Sequence, residues 1–373
     1  MRAINPFLLG IYVHPDYFCD RDNEKYRIIN AFENQRNLTL ISHRKYGKTS
    51  LIQHVFYELR KKNQCSIFYI DLMHTGKLED FVIAFAAAVI GRFDSRTTLL
   101  IKSFAKVVKS IRPMISFNPL TGKPAVEISL QPDSTPEHSL DEIFTYLETQ
   151  KTKILIAFDE FQQVLIYPEK NVEALLRTRI QQTSNCNFIF SGSEKHLLMQ
   201  MFSGYSRPFY QSTEMLELGK IDKDIYEKFI QAKFESGKIS IGLSEIELIL
   251  EYTRLHTWYV QYFCNRLYSS GQKIIDYTTI NEIAQNILIE NEVMYFAYLK
   301  LLTEQQFRLL KAIACENRIK MITSQEFIQK HKLTAASTVK SAITALLSKE
   351  LIFEEEGYYQ LYDVFFSRWL EKY

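Results

Sequence analysis

Gly47-Lys48-Thr49 sets a flexible turn residue, a primary ammonium and a hydroxyl side by side. An apolar run of β type, Leu38-Thr39-Leu40-Ile41, precedes it. A helical pattern follows, with Leu51, Ile52, Val55, Phe56 and Leu59 on one face. Strand, polar loop, Gly-Lys-Thr and helix in that order form the context of a phosphate-binding P-loop. Backbone N–H groups of such a loop, and the positive end of the helix dipole, converge on a phosphate. Lys48 adds a mobile charge for the outer phosphate oxygens, and the Thr49 hydroxyl is a ligand for Mg²⁺. The residues expected around the phosphates are Ser42, His43, Arg44, Lys45, Tyr46, Gly47, Lys48, Thr49 and Ser50. Ser42 departs from the pattern G-x-x-x-x-G-K-[ST], which begins on glycine.

A second group of candidates closes a different apolar run, where Ile154-Leu155-Ile156-Ala157-Phe158 ends on Asp159-Glu160. Open α/β sheets bind ligands beyond the carboxyl ends of their strands. There Asp159 would hold the Mg²⁺ shell, and Glu160 would orient and activate the attacking water. Alone, two acids at a strand end read equally well as a solvated turn; paired with Gly-Lys-Thr they read as catalytic. Ser191 ends another apolar run, where its hydroxyl could contact the γ-phosphate or the water, or cap the helix that follows. Arg44, inside the loop, and Arg207, in Tyr205-Ser206-Arg207-Pro208-Phe209, are the candidate charges for a transition state. Arginine supplies positive charge beside phosphoryl oxygens without risk of deprotonation. A surface or structural role for either stays open.

Only a sheet covered on both faces can hold these groups together. Helical periodicities at about 78–92, 95–111, 139–149 and 194–202 alternate with β-type runs at 38–41, 66–71, 153–158, 186–191 and about 213–218. The alternation predicts an α/β fold, a P-loop NTPase parallel sheet with helices on both faces. Prolines and a glycine punctuate about 113–138, which reads as a surface hairpin insertion. Beyond Gly219 the β-type runs stop, and helical patterns at 222–236, 243–254, 256–270 and 279–300 suggest a helical lid. Helices at about 303–316, 323–331 and 334–349, then the hairpin Leu351–Leu361, read as a winged helix. The expected domains are 1–219, 220–300 and 301–373.

The bulk properties agree with several packed cores. A chain of 373 residues is too long for one typical domain. Lys and Arg number 45 against 43 Asp and Glu, so net charge alone does not argue for nucleic acid. The five cysteines lack C-x-x-C spacing and are expected to be reduced core thiols of a cytoplasmic protein. MRAINPFLLG has no signal-peptide pattern, and the apolar run Phe81–Ile90 is too short for a bilayer. In the winged helix, Thr334–Ala342 is the candidate recognition segment, with Lys330, His331, Lys332, Lys340 and Lys349 available to phosphates. Glu354-Glu355-Glu356 at the wing tip would repel a DNA backbone.

Taken together, Phe18-Cys19-Asp20-Arg21-x-x-Glu24, Arg44-x-Tyr46-Gly47-Lys48-Thr49, Asp159-Glu160-Phe161 and Ser191-Gly192-Ser193 resemble the archaeal-type ATPase family. That family belongs to the STAND-like and origin-recognition-like branch of the AAA+ superfamily. The resemblance spans nearly the whole chain and implies a helical lid and a C-terminal winged helix. Members commonly carry serine at the first Walker A position, as Ser42 does here. Phe18 and Arg21 fall in the N-terminal box, which implies contact with adenine and ribose; its usual glycine before arginine is Asp20. In the lid, Leu255-His256-Thr257 stands where the family has Gly-x-Pro. The expected function is Mg-dependent ATP binding and hydrolysis used as a nucleotide-controlled switch. Two alternatives are a nucleotide-sensing protein-interaction module with little turnover and an ATP-dependent DNA-binding regulator. Expected partners are ATP, an unidentified protein, DNA through the winged helix, and further copies of the chain; no membrane partner is expected.

Overall fold

Among the described residues of the computed structural model, seven strands precede residue 221: β1 (Leu38–Ile41), β2 (Cys65–Asp71), β3 (Ile111–Phe117), β4 (Pro124–Leu130), β5 (Lys153–Asp159), β6 (Cys186–Gly192) and β7 (Glu214–Glu217). The residues described are 5–10, 12–62, 65–91, 104–117 and 124–373. Five of the strands form one sheet of order β2-β5-β6-β1-β7, and every pairing in it is parallel. β3 and β4 pair antiparallel as a separate hairpin, in the place expected for an insertion. Of the helical pattern expected at 95–111, the part before residue 104 lies outside the described residues. The rest is helical over 104–107 and gives way to β3 at Ile111.

Strand alternation sorts the sheet's side chains into two cores. Ile154, Ile156 and Phe158 of β5 join Phe188 and Phe190 of β6 and the apolar helix α3 (Leu78–Gly91) on one face. Leu155 and Ala157 join Ile189, Leu38 and Leu40 on the other. That second face carries α1 (Asp22–Glu33) and α2 (Lys48–Lys61), which contributes Leu51, Ile52, Val55, Phe56 and Leu59 to it. A strand buried on both sides has to be apolar at consecutive positions. The run before Asp159 is uninterrupted for that reason.

By its internal contacts the chain divides into two compact units, Ile11–Lys220 and Met1–Gly10 with Ile221–Tyr373. In the second unit Phe7 is fully buried against Phe229, Phe234 and Tyr268. Asn5 and Asn265 tie that segment down, donating to Asn265 O and Phe7 O at 2.9 and 2.7 Å. Asn5 and Phe7 thus pack with helices that come after residue 220. The expectation that β structure stops at Gly219 needs one correction. Two-residue strands, β8 (Ser240–Ile241) and β9 (Ile274–Ile275), pair in parallel between the helices. They are too short to show as a periodic run.

Helices Glu304–Glu316, Gln325–Lys330 and Ala336–Ser348, followed by the antiparallel hairpin β10 (Ile352–Glu355) and β11 (Tyr358–Leu361), make the winged helix. A closing helix, Val364–Leu370, stacks Phe366 on Tyr295 of the long helix Tyr277–Lys300. Four of the five cysteines are buried, and Cys315 is exposed and so lies outside the core expected for it. Among the described residues no helix is long and apolar enough to cross a membrane.

Candidate active site

Between β1 and α2 the chain turns tightly. Lys45 and Gly47 both adopt positive φ, 65° and 94°, and the first turn of α2 carries no side-chain cap. Its amide N–H groups therefore keep their capacity for an anion. Ser42 fits without a glycine's freedom: its hydroxyl is buried and donates to His43 O at 2.9 Å. His43 and Tyr46 are buried, with rings edge to face at 5.8 Å, while Arg44 and Lys45 are exposed.

Lys48 is 6 % exposed. Burial pulls its ammonium below the ordinary lysine range, and the charges of Asp159 and Glu160 oppose that pull. Asp159, 3 % exposed, gathers hydroxyls from three elements. Its Oδ2 accepts from Thr49 of α2 at 2.7 Å and from Tyr69 of β2 at 2.6 Å, and its Oδ1 accepts from Ser191 of β6 at 2.6 Å. Alternation explains the convergence. Tyr69, Asp159 and Ser191 share the parity of Ile67, Ala157 and Ile189, so all three face α2 at the carboxyl edge of the sheet. Burial would raise the Asp159 carboxyl, but the three hydroxyls and Lys48 hold it below its ordinary value. Tyr69, pushed up mainly by burial, stays a donor.

Glu160 leaves the sheet in a left-handed conformation, φ 54° and ψ 42°. Its Oε2 accepts from the Ser193 amide and hydroxyl at 3.1 and 2.9 Å and from Gln162 Nε2 at 2.6 Å. Tyr69 and Gln162 are not among the residues expected from the sequence, and Ser193 is there only as part of the Ser191-Gly192-Ser193 motif. Strand parity was the available signal for Tyr69, and the Ser-Gly-Ser repeat for Ser193.

The other candidates lie differently. Ser191 turns its hydroxyl to Asp159, so it supports the carboxylate and does not cap the next helix. Arg207 donates to Glu173 of the helix Val172–Gln182 at 2.6 Å, and among the described contacts none joins it to the loop. Phe18 stacks on His54 of α2 at 4.3 Å. Arg21 is buried and bonds Glu24 and Gly219 O at 3.1 and 2.7 Å, bracing the start of α1 against the segment after β7. Asp20, where the resembled family has glycine, keeps a positive φ of 57°. In the second unit Leu255 likewise holds φ 56° where that pattern has glycine, and Thr257 starts the next helix where it has proline.

The donor set suits a nucleotide with its cation. An uncapped helix end, a buried ammonium and an ionised carboxylate beside a threonine hydroxyl meet at one sheet edge. Among the described residues no group of three or more His, Cys, Asp or Glu could cage a metal. Mg²⁺ needs no cage, because it takes one or two protein oxygens and completes its shell with water and phosphate.

Fold and loop together define a P-loop ATPase with a C-terminal winged helix. Residues 18–263 match the family model described as the ATPase domain predominantly from Archaea, and the chain belongs to that family. Residues 293–372 match a probable winged helix domain. The chain accordingly binds and hydrolyses ATP. No curated protein matches it. Among solved structures, the Walker-type ATPase PABY2304 of Pyrococcus abyssi is 19 % identical with a TM-score of 0.68, over 98 % of this chain and 99 % of that one. The ORC2 protein of Aeropyrum pernix, solved in ADPNP–ADP complexes, is 13 % identical with a TM-score of 0.61, over 99 % and 96 %. The ORC1 protein of the same organism, solved with DNA, is 13 % identical with a TM-score of 0.52, over 96 % and 94 %.

Proposed function

We propose that this ATPase is a Mg²⁺-dependent switch whose nucleotide state is read by the unit carrying the helical lid and winged helix. The observation that carries the reading is the Thr49–Asp159 pair beside buried Lys48. When bound, Mg²⁺ would neutralise phosphate charge between Thr49 and Asp159. Lys48 and the first-turn amides of α2 hold the phosphates, and Tyr69 and Ser191 keep Asp159 ionised and fixed. Glu160 orients water for attack. Arg207 serves as a transition-state charge only after leaving Glu173, within this copy or toward another. STAND-like membership, a cytoplasmic setting and contact of Phe18 with adenine belong to the same reading.

Lys48→Ala should abolish ATP binding, whereas Glu160→Gln should bind ATP with near-native affinity and lose turnover by about a hundredfold or more. Measured turnover in Glu160→Gln equal to the parent would remove Glu160 from the role. Omitting Mg²⁺ should abolish turnover.

Duplex DNA is the second reading. The exposed face of helix Ala336–Ser348 shows Ala336, Ser337, Lys340, Ser341 and Thr344, with no acid among them. Lys330 and His331 are engaged with Glu316 at 2.6 and 2.7 Å, which leaves Lys332, Lys340 and Lys349 for phosphates. Affinity that falls with salt as for about three phosphate contacts, a slope near −3 in log–log form, would support it. Binding to DNA that ignores salt, or none at low salt, would discard it.

A further inference from the structure

The base assigned above is fastened by one oxygen. Three donors converge on Oε2 of Glu160, from Ser193 twice and Gln162 once, while among the described residues no hydrogen bond or ion pair holds Oε1. A base whose second oxygen is anchored presents its first in a fixed direction, the arrangement seen wherever a third group orients a catalytic base.

Gln162 is built into this position. It is 3 % exposed, and its own Oε1 is buried with no hydrogen-bond partner among the described residues. A buried acceptor left unpaired is costly. Reversing the amide would aim that oxygen at the Glu160 carboxylate, so the Nε2–Oε2 bond sets the orientation. The fit also depends on Gly192. A Cβ there would stand 2.0 Å from Gln162 Oε1 and 2.9 Å from Leu198 Cδ1. Gly192 is the last residue of β6, and its φ is not among the positive values, so the requirement for glycine there is space and not backbone freedom.

We propose that Gln162 is a positioning residue for hydrolysis: with Ser193 it pins Oε2 of Glu160 and leaves Oε1 directed at the attacking water, and Gly192 is glycine to admit its amide. The proposal rests on Glu160 being the base.

Gln162→Met keeps the volume and removes the donor. Steady-state turnover, Mg-ATP affinity by a fluorescent nucleotide, and urea unfolding of the nucleotide-free protein are measured for Gln162→Met, Gly192→Ala, Glu160→Gln and the double variant Gln162→Met/Glu160→Gln. Losing a hydrogen bond to a charged group should lower kcat about tenfold, with KM and nucleotide affinity unchanged. Gly192→Ala, which displaces the same amide, should give the same split. In the Glu160→Gln background Gln162→Met should cost no further turnover. Its effect on the unfolding midpoint there should differ from its effect in the parent, because the two side chains are coupled. Wild-type kcat in Gln162→Met, a matching loss of nucleotide affinity, or additive effects in the double variant would each overturn the proposal. Full activity of Glu160→Gln would instead overturn the base assignment, and the unfolding cycle would still report whether the two residues touch.

Discussion

Burial alone would push the Asp159 carboxyl up, yet hydroxyls from Ser191, Tyr69 and Thr49 and the ammonium of Lys48 hold it down. A carboxyl whose folded value lies below its unfolded one stabilises the fold above the unfolded value, and that contribution is lost as pH falls through the folded value. The unfolded reference here is 3.8. Asp159→Asn would remove the charge on which three hydroxyl donors converge and which offsets the burial of Lys48, and weakening hydrogen bonds to a buried charge costs about 3 kcal/mol. The nucleotide-free variant should therefore unfold about 3 kcal/mol more easily at pH 7, and the gap should narrow as the pH drops below 3.8. Urea titrations of parent and variant at several pH values check this; a gap independent of pH would show that Asp159 does not titrate as described. Lys48, Thr49 and Asp159 could be picked from the sequence because their types and order are constrained by phosphate chemistry. Tyr69 is harder to pick: strand parity points to it, but its place opposite Ala157 is a matter of strand register, and one residue of slip would point it to the other face.

Elements were legible where burial dictates a period. The apolar runs that became β1, β2, β5 and β6 are continuous because helices cover both faces, and α2 and α3 show their buried stripes. Less legible was what replaces a lost motif. Between helices Leu243–Tyr252 and Thr257–Ser269 the break carries Arg254 and Leu255, both at positive φ. The backbone turn that glycine would favour persists with larger residues, and the strain is met by contacts from the chain's last helix. Arg254 donates to Ser367 Oγ at 2.8 Å and Glu371 Oε1 at 3.0 Å, and burial pulls its guanidinium down to about 10. Arg368 in return donates to Tyr252 O and Glu251 O, both at 3.0 Å. These bonds clasp the closing helix of the winged-helix module to the lid. Arg254→Ala should destabilise the Ile221–Tyr373 unit by about 2–3 kcal/mol, from two charge-assisted hydrogen bonds to a largely buried group. Calorimetry and limited proteolysis near residue 363 read the effect, and unchanged stability would reduce the clasp to a surface contact.

The two units each have a core of their own, so heat should unfold them in two transitions and not one. The phosphate loop, Asp159 and Glu160 all belong to Ile11–Lys220. A ligand that binds only the folded form stabilises it by about 2.7 kcal/mol at a hundredfold excess over Kd. For a unit of roughly two hundred residues that shifts the midpoint by about 5–10 °C. Mg-ATP at that excess should move the core transition by this amount in Glu160→Gln, where turnover does not exhaust the ligand, and should not move it in Lys48→Ala. The transition of the lid and winged-helix unit is the informative one. Its response depends on whether that unit distinguishes nucleotide states, since a ligand shifts an equilibrium only by its differential affinity for the two forms. A switch requires ADP and a non-hydrolysable ATP analogue to place this second transition at different temperatures. If both nucleotides leave it where the nucleotide-free protein has it, hydrolysis in the core is not communicated and the switch reading fails, while the ATPase assignment stands.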